Sequence, residues 1–335
     1  DKGEIERQMS LKVSLLHGEW QSDHFNFLDT PGYADFIAES KAALRVADSA
    51  LVVIDGVAGV EIGTERVWNF AAEYNIPRLI FLNKMDRADV DPEQVLEVVK
   101  ERFGRQAVPL QLPVNPGEGF HQLVDLVDGK LLSYEDGKVE VGEIPEELQD
   151  SVQELQEQLV EAVAETDEEL MEKYFSDGEL TPEDLQAGLR KAIFQLELFP
   201  VFYGDAFNNV GVDRLMEAIS HYAPSPQESA GLKFADGNGE EVVIEAREDA
   251  PLAAFVFKVI AEQHVGELTL LRIYSGNLKP GDEVFNSAKN STERIGQFFY
   301  LNGHQREEVE EAKAGDIVAL VKLRDTHTGN TLCTR

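Results

Sequence analysis

Short apolar runs alternate with segments of helical spacing over the early part of the chain. Continuous apolar runs at residues 50–55 and 78–82 predict buried strands. Apolar positions that recur every three or four residues predict helices over residues 34–47, 61–74 and 92–103. Because strands that alternate with helices of this length form βαβ units, the pattern predicts a parallel sheet with helices packed against it.

The pattern changes after Gly104. Residues 108–141 predict short strands separated by turns, and residues 145–173 predict a long helical stretch. Thr181-Pro182 marks a further helix start, because proline is favoured in the first turn of a helix. An apolar run at residues 199–203 then restores the strand pattern. These features predict an insertion of mixed α and β structure within the α/β region.

The two ends of the chain have β patterns of their own. Residues 11–16 and 20–28 predict a hairpin that leads into a turn at Pro31-Gly32. Residues 223–226 have the proline content of a linker, and residues 251–335 are rich in β-branched and aromatic residues with regular turns. The C-terminal part is therefore predicted to be an all-β barrel or sandwich.

Composition and charge narrow the class of protein. The chain has 335 residues, enough for two or more domains, and its formal net charge of −33 argues against a sequence-independent grip on nucleic acid. No apolar run approaches the length of a membrane span. The single cysteine, Cys333, excludes an internal disulfide framework and suits a reducing cytosol. Residues 143–184 are strongly acidic, as expected for a solvated helical face or for a docking surface for a basic partner.

Polar groups follow three of the predicted strands, where ligands bind in open α/β sheets. Asn83-Lys84-Met85-Asp86 follows the strand at 78–82 and suits guanine, because Asp86 can accept from both N1–H and the 2-amino group. Asn83 would tie neighbouring loops together, and the stem of Lys84 would lie along the base. The alternative is a polar turn with an aspartate near a helix start.

The other two loops suggest the rest of a nucleotide site. Asp29-Thr30-Pro31-Gly32 offers a carboxylate for a water of a magnesium ion and a Gly32 amide for a terminal phosphate. Gly204-Asp205-Ala206 offers backbone amides for the guanine O6. The phosphate-binding motif G-x-x-x-x-G-K-[ST] does not occur in residues 1–335. We therefore expect a GTP-binding domain whose first strand and phosphate loop precede Asp1, and we expect this chain alone to be inactive.

These motifs together resemble the first two domains of a translational GTPase, closest to elongation factor G. Residues 6–11 resemble the end of switch I. The likeness also includes the three loops above and barrel segments such as Tyr274-Ser275-Gly276 and Ala314-Gly315-Asp316. The resemblance implies a P-loop NTPase-like G domain over residues 1–226, with an inserted α+β subdomain at about 104–196. It also implies a translation-factor barrel over residues 227–335.

The resemblance implies GTP or GDP with Mg²⁺ as ligands, and the following site residues. Ser10 and Asp29 would hold the metal, and Gly32 and Tyr33 would act in hydrolysis. GTP would be bound by Asp29, Thr30, Pro31, Gly32, Asn83, Lys84, Asp86, Gly204, Asp205 and Ala206. The full-length protein would be a cytoplasmic monomer that acts on the RNA and proteins of the ribosome, with no membrane or DNA partner.

Two departures from the family pattern bear on function. The family normally has threonine at the position of Ser10 and histidine at the position of Tyr33, and the substitutions seen here resemble a paralogous elongation factor G-like branch. One hypothesis is therefore a ribosome-dependent GTPase that hydrolyses GTP in a translocation-type step of protein synthesis. The alternative is a ribosome-binding protection factor, or a release or recycling factor, that uses GTP mainly as a switch.

Overall fold

The computed structural model describes residues 2–229, 232–235, 240–262, 266–321 and 323–334. Its internal contacts divide the chain into two compact units. We name residues 49–223 the α/β unit, and residues 1–48 together with 224–335 the β unit. This division groups the first 48 residues with the C-terminal part, whereas the sequence analysis assigns them to the G domain. The domain boundaries given there stay a prediction.

The N-terminal part of the β unit is a short helix, a hairpin and a second helix. Its elements are α1 (Lys2–Arg7), β1 (Ser14–Trp20), β2 (Asp23–Asp29), a 3-10 turn (Ala34–Phe36) and α2 (Ile37–Leu44). Strands β1 and β2 are antiparallel, with Ser14 opposite Asp29. The predicted hairpin is thus confirmed, and the helix predicted over residues 34–47 is shorter.

The α/β unit contains two sets of strands and six helices among its residues, all of which the structure describes. Its helices are α3 (Ile62–Glu73), α4 (Pro92–Phe103), α5 (Glu146–Ala164), α6 (Glu168–Asp177), α7 (Pro182–Phe194) and α8 (Val212–Tyr222). Its strands are β3 (Ala50–Asp55), β4 (Arg78–Asn83), β5 (Ala107–Pro109), β6 (Gln111–Val114), β7 (Gln122–Asp125), β8 (Lys130–Glu135), β9 (Lys138–Gly142) and β10 (Phe199–Tyr203).

The parallel sheet of this unit has the strand order β3-β4-β10-β5. Strand β4 is buried on both faces: Leu79 and Phe81 pack into one hydrophobic core, and Ile80 and Leu82 pack into the other. Asp55 lies opposite Asn83 in the register of β3 and β4. Because parallel strands end at the same edge of a sheet, the loops after β3, β4 and β10 begin side by side.

Strand β3 differs from its prediction as a strand covered on both faces. It is an edge strand of the described sheet, and Leu51 and Val53 are exposed on one of its faces. Only Val52 and Ile54, on the opposite face, join the core. One face of this apolar run is therefore exposed, which its composition does not reveal.

The insertion begins after α4. Strands β6 to β9 form a four-stranded antiparallel sheet in chain order, which we name the inserted sheet. The long helix predicted over residues 145–173 is two helices, because the carboxylate of Asp167 accepts from the amides of Glu169 and Leu170 and starts α6. Thr181 starts α7 in the same way, with Pro182 in its first turn, as predicted.

The C-terminal part of the β unit is antiparallel. Its strands are β11 (Leu232–Ala235), β12 (Glu241–Ile244), β13 (Ala253–Glu262), β14 (Gly266–Ser275), β15 (Asn277–Leu278), β16 (Glu283–Asn286), β17 (Ser291–Arg294), β18 (Phe298–Asn302), β19 (Gln305–Val309), β20 (Ala312–Lys313), β21 (Ile317–Val321) and β22 (Thr331–Cys333). Eight of them form one sheet of order β17-β16-β22-β13-β14-β21-β18-β19. The fold class is confirmed: a G-domain-type parallel sheet is followed by an all-antiparallel β domain.

Among the described residues, none of the helices combines the length and the apolar character needed to cross a membrane.

Candidate functional site

The end of β4 is joined to the loop after β10 through a side chain. The Asn83 side-chain oxygen accepts a hydrogen bond of 2.9 Å from the amide of Ala206. The backbone of the same loop adds a second link, because the amide of Met85 donates to the carbonyl of Gly204 at 3.1 Å. The tie between loops that the sequence predicts for Asn83 is therefore present.

Lys84 has a backbone and a side chain that are both constrained. Its φ of 64° lies in the left-handed region, which costs a residue with a Cβ about 1–2 kcal/mol. Its ammonium lies 2.6 Å from the carboxylate of Asp55 at the end of β3. The stem of Lys84 is thus fixed in direction beside the polar loop. Unfavourable backbone of this kind concentrates at functional sites.

Asp55 is the counterion of Lys84 and holds its own loop as well. Its second carboxylate oxygen accepts from the amides of Val57 and Ala58 at 2.9 and 3.1 Å. Burial by itself would raise the pKa of Asp55, but the hydrogen bonds from Lys84 and from the two amides outweigh it and lower the pKa. Asp55 is therefore ionised at neutral pH.

Asp86 is placed differently from the other polar residues of the loop. It is partly buried, and its carboxylate has no hydrogen-bond or ion-pair partner within the part of the chain that the structure describes. A carboxylate with its acceptor positions available at the carboxyl end of a central strand can take two donors from a ligand. This is the chemistry that guanine recognition needs.

The loop after β10 is built around Gly204 and Asp205. A Cβ on Gly204 would lie 2.4 Å from the carbonyl oxygen of Val210 and 2.7 Å from the Phe81 ring, so only glycine fits. Asp205 is buried and accepts from the amides of Phe207 and Asn208. Its side chain therefore stabilises the loop from inside.

The amides of this loop already have acceptors, which the sequence did not reveal. Gly204 donates to the carbonyl of Leu82 and Asp205 donates to that of Val210, both at 3.0 Å, while Ala206 donates to Asn83. An amide here reaches guanine O6 only if it shares or exchanges its present acceptor. These amides are thus less available to a ligand than the carboxylate of Asp86.

Asp29 is the last residue of β2, in the β unit. Partial desolvation, followed by the nearby negative charge of Glu4, raises the pKa of Asp29. The next residues turn into α2, and the buried Ser40 hydroxyl donates to the carbonyl of Pro31 at 3.4 Å. A Cβ on Gly32 would meet nothing within 4 Å, so the backbone at this position is open to a ligand.

Tyr33 projects from the start of the 3-10 turn. Its side chain is 61% exposed, and it has no hydrogen-bond or ring partner among the residues that the structure describes. Its backbone carbonyl accepts a hydrogen bond of 3.0 Å from the amide of Phe36. The ring is therefore available to a bound water, a ligand or a partner.

The residues predicted to hold magnesium have suitable donor atoms. Ser10 offers a hydroxyl and Asp29 a carboxylate, and an oxygen donor set is what Mg²⁺ prefers. The carboxylate of Asp29, whose pKa is raised, would also gain from a neighbouring cation. No described residues form a group of three or more His, Cys, Asp or Glu side chains arranged for a metal. Mg²⁺ bound with a nucleotide needs only one or two carboxylates, because phosphates and water supply the other ligands.

Comparison with known families assigns the chain. Residues 1–225 match the elongation factor Tu GTP binding domain. The chain belongs to that family. Residues 251–335 match elongation factor G domain 2, so this translational GTPase resembles elongation factor G in the order of its domains. The family relation implies guanine-nucleotide binding.

A solved structure of a protein from Thermus thermophilus is similar to this translational GTPase. The sequence identity is 32% and the TM-score is 0.87. The match covers 100% of this chain and 48% of the other, so the chain spans about half the length of that relative.

The sequence analysis missed two contributors to the candidate site, Asp55 and Gly56. A Cβ on Gly56 would lie 2.4 Å from the Met85 side chain and 2.9 Å from the Asn83 carbonyl oxygen. The Gly56 amide donates to that carbonyl at 2.8 Å. Both residues follow an apolar strand, so the strand-end rule that selected Asn83 would have selected them too.

Proposed function

We propose that this chain is the nucleotide-binding and second-domain part of an elongation factor G-like translational GTPase. The complete protein binds GTP and hydrolyses it on the ribosome in a translocation-type step of protein synthesis. The observation that carries the proposal is the placement of Asp86, an unpaired carboxylate within the described residues, beside a loop that Asn83 joins to Ala206. The family match supports the same nucleotide.

Guanine is selected by the donor pattern on its edge. Asp86 accepts from N1–H and from the 2-amino group, which adenine does not present together. Asn83 positions the loop of Gly204, Asp205 and Ala206. Lys84, fixed by Asp55, lies along the face of the base. Each residue thus has one task, and only Asp86 discriminates between bases.

The phosphate side of the site is assigned to the loop after β2. Ser10 would hold Mg²⁺ through its hydroxyl and Asp29 through a water on its carboxylate, while Thr30 and Pro31 shape the turn. The amide of Gly32 would donate to the terminal phosphate, and Tyr33 would orient the attacking water. When bound, Mg²⁺ would neutralise charge on the phosphates. Phosphoryl transfer depends mainly on positioning and charge stabilisation. A tyrosine hydroxyl can contribute to positioning by a hydrogen bond to the water.

The domain assignment follows from the same proposal. Residues 1–226 form the G domain, with an inserted subdomain at about 104–196, and residues 227–335 form the second domain. The family matches at residues 1–225 and 251–335 support this assignment. The complete protein is proposed to act as a cytoplasmic monomer on ribosomal RNA and proteins, as its family does.

One observation favours a second candidate function. Tyr33 stands where the family has histidine, and a phenol is a weaker general base than an imidazole. A ribosome-binding protection, release or recycling factor would use GTP mainly as a switch. Ribosome-stimulated GTP turnover of the complete protein separates the two: turnover at many cycles per ribosome supports the translocation-type enzyme, and a single slow cycle supports the switch.

The replacement Asp86→Asn tests the guanine assignment. Asparagine presents an amide donor to N1–H, a mismatch of about 1–3 kcal/mol for each buried polar group. We expect affinity to move from GTP toward xanthosine triphosphate, whose 2-oxo group accepts from the new amide. The matched control is Asp89→Asn, an exposed aspartate of the same loop. If Asp86→Asn binds both nucleotides as the parent does, guanine is recognised elsewhere.

A further inference from the structure

The turn between β6 and β7 of the inserted sheet contacts the loop that contains Asp86. The amide of Gly117 donates to the carbonyl of Met85 at 2.8 Å. Gly117 has a φ of 111°, in the region that favours glycine, so the turn is shaped for this approach. Because the amide of Met85 donates to Gly204, Met85 is held through both its amide and its carbonyl.

The first strand of the inserted sheet contacts the strand that precedes Gly204. Gln111 is buried, and its side-chain oxygen accepts from the amide of Tyr203 at 3.0 Å. Beside it, the amide of Leu110 donates to the carbonyl of Val201. The side chain of Gln111 thus takes the place of a backbone acceptor at the point where the chain passes from β5 of the parallel sheet to β6. Without it the amide of Tyr203 would be buried and unpaired.

The inserted sheet also holds the far end of the loop after β10. That loop ends at Gly211, where an added Cβ would lie 2.9 Å from Leu123 of β7. Tyr134 of β8 donates its hydroxyl to Asp213, in the first turn of α8, at 2.7 Å. Burial, followed by the hydrogen bond to Asp213, raises the pKa of Tyr134, so the phenol stays protonated and remains a donor.

These contacts share one property. Each one joins the inserted sheet to a residue at or beside the two base-contacting loops. The three contacted positions lie before Gly204, after Gly211, and within the Asn83–Asp86 segment. An insertion with no role at these loops would not need contacts at all three positions. The loops themselves carry left-handed backbone at Lys84 and Asn209, which such contacts stabilise.

We infer that the inserted sheet holds the two base-contacting loops in their binding geometry, and that it thereby sets how slowly a bound guanine nucleotide dissociates. Gln111, Gly117 and Tyr134 are positioning residues, since they act through Tyr203, Met85 and Asp213. This inference rests on the proposed guanine site. The ligand is a guanosine di- or triphosphate, and the chemistry of hydrolysis is not involved.

The experiment uses the complete protein and the variants Gln111→Met and Tyr134→Phe. Each variant removes one hydrogen bond while keeping the size of the side chain. The matched controls are Gln156→Met and Tyr174→Phe, which remove hydrogen bonds to Leu126 and Glu161 inside the insertion and away from the loops. The dissociation rate of a fluorescent GDP is measured by chase with unlabelled GDP, together with the thermal unfolding midpoint.

We expect each test variant to release GDP about three- to tenfold faster, the range that one lost hydrogen bond supports, with a nearly unchanged association rate. The controls should release GDP at the parental rate even where they lower the unfolding midpoint equally. Parental release rates in both test variants, or equally fast release in the controls, would overturn the inference. A parent that fails to prefer GDP to ADP would instead overturn the proposed function, and this inference with it.

Discussion

The side-chain oxygen of Asn83 and the amide nitrogen of Ala206 lie 2.9 Å apart although 123 residues separate them in sequence. The intervening chain contains α4, the whole insertion and β10. This hydrogen bond and the one from Met85 to Gly204 join two loops that the pairing of β4 and β10 brings side by side. This relationship turns two separate polar segments into one candidate site, and it makes Asn83 the residue whose removal should affect both.

Replacement of Asn83 by alanine should weaken nucleotide binding without changing base preference. The exposed Ala206 amide loses its acceptor, which costs about 0.5–1.5 kcal/mol, or roughly 2- to 13-fold in affinity. GTP and xanthosine triphosphate should lose affinity in the same proportion, in contrast to Asp86→Asn. Competitive titration of both nucleotides measures this, with the exposed Asn302→Ala as control. A switch of preference in Asn83→Ala would assign Asn83 to base contact rather than to loop positioning.

Residues 1–335 alone should bind GDP and GTP weakly, with Kd above about 1 mM. Phosphate contacts supply much of the nucleotide affinity of a GTPase, and the phosphate-loop motif does not occur in this stretch. Titration of a fluorescent GDP analogue measures this affinity. Micromolar binding that GTP displaces and ATP does not displace would show that the phosphate loop contributes little.

Tyr33 should make hydrolysis slow, or dependent on the ribosome for positioning. Its exposed side chain has no partner among the described residues, so it is available to a water. Tyr33→Phe removes the hydroxyl and should lower the ribosome-stimulated rate, whereas Tyr33→His should keep or raise it. Single-turnover hydrolysis with and without ribosomes is the measurement, with nucleotide affinity as control. Equal rates for all three side chains would give the ring a structural role only.

The ion pair of Asp55 and Lys84 should make the α/β unit less stable in acid. The pKa of Asp55 is lowered in the folded state, so its contribution is present above the usual aspartate pKa of about 4 and is lost as the pH falls through the folded value. Asp55→Asn should therefore be less stable than the parent at neutral pH, with the difference vanishing in acid. Both side chains are partly exposed, so the effect should stay below about 1 kcal/mol.

Denaturant unfolding of parent and Asp55→Asn at neutral and acidic pH provides the measurement. The exposed Asp89→Asn serves as control, because Asp89 has no ion-pair partner in the described ranges. A difference between parent and Asp55→Asn that persists undiminished at about pH 3 would mean that packing, and not charge, accounts for the loss.

Local pattern was enough to predict several elements of this protein. The apolar run of β4 predicts a buried strand, the spacing of residues 92–103 predicts α4, and Thr181-Pro182 predicts the start of α7. These features depend on period, capping and proline geometry, which act over a few residues. The polar segment from Asn83 to Asp86 could be singled out for the same reason, because it directly follows a strand.

Other features depend on distant partners and could not be predicted. The exposed face of β3 depends on which elements pack against it, and the break at Asp167 divides a stretch whose spacing suits one helix. Asp55 becomes the partner of Lys84 only because β3 and β4 end in register.

The sequence by itself determined the parallel and antiparallel parts of the fold and the chemistry of the residues at the strand ends. Only the tertiary structure decided which of those residues already have hydrogen-bond partners within the protein. The amides of Gly204, Asp205 and Ala206 already have acceptors, whereas the carboxylate of Asp86 has no partner in the described part of the chain. The physical reason is that hydrogen-bond satisfaction depends on neighbours in space, and the residues that supply those neighbours here lie far apart in sequence.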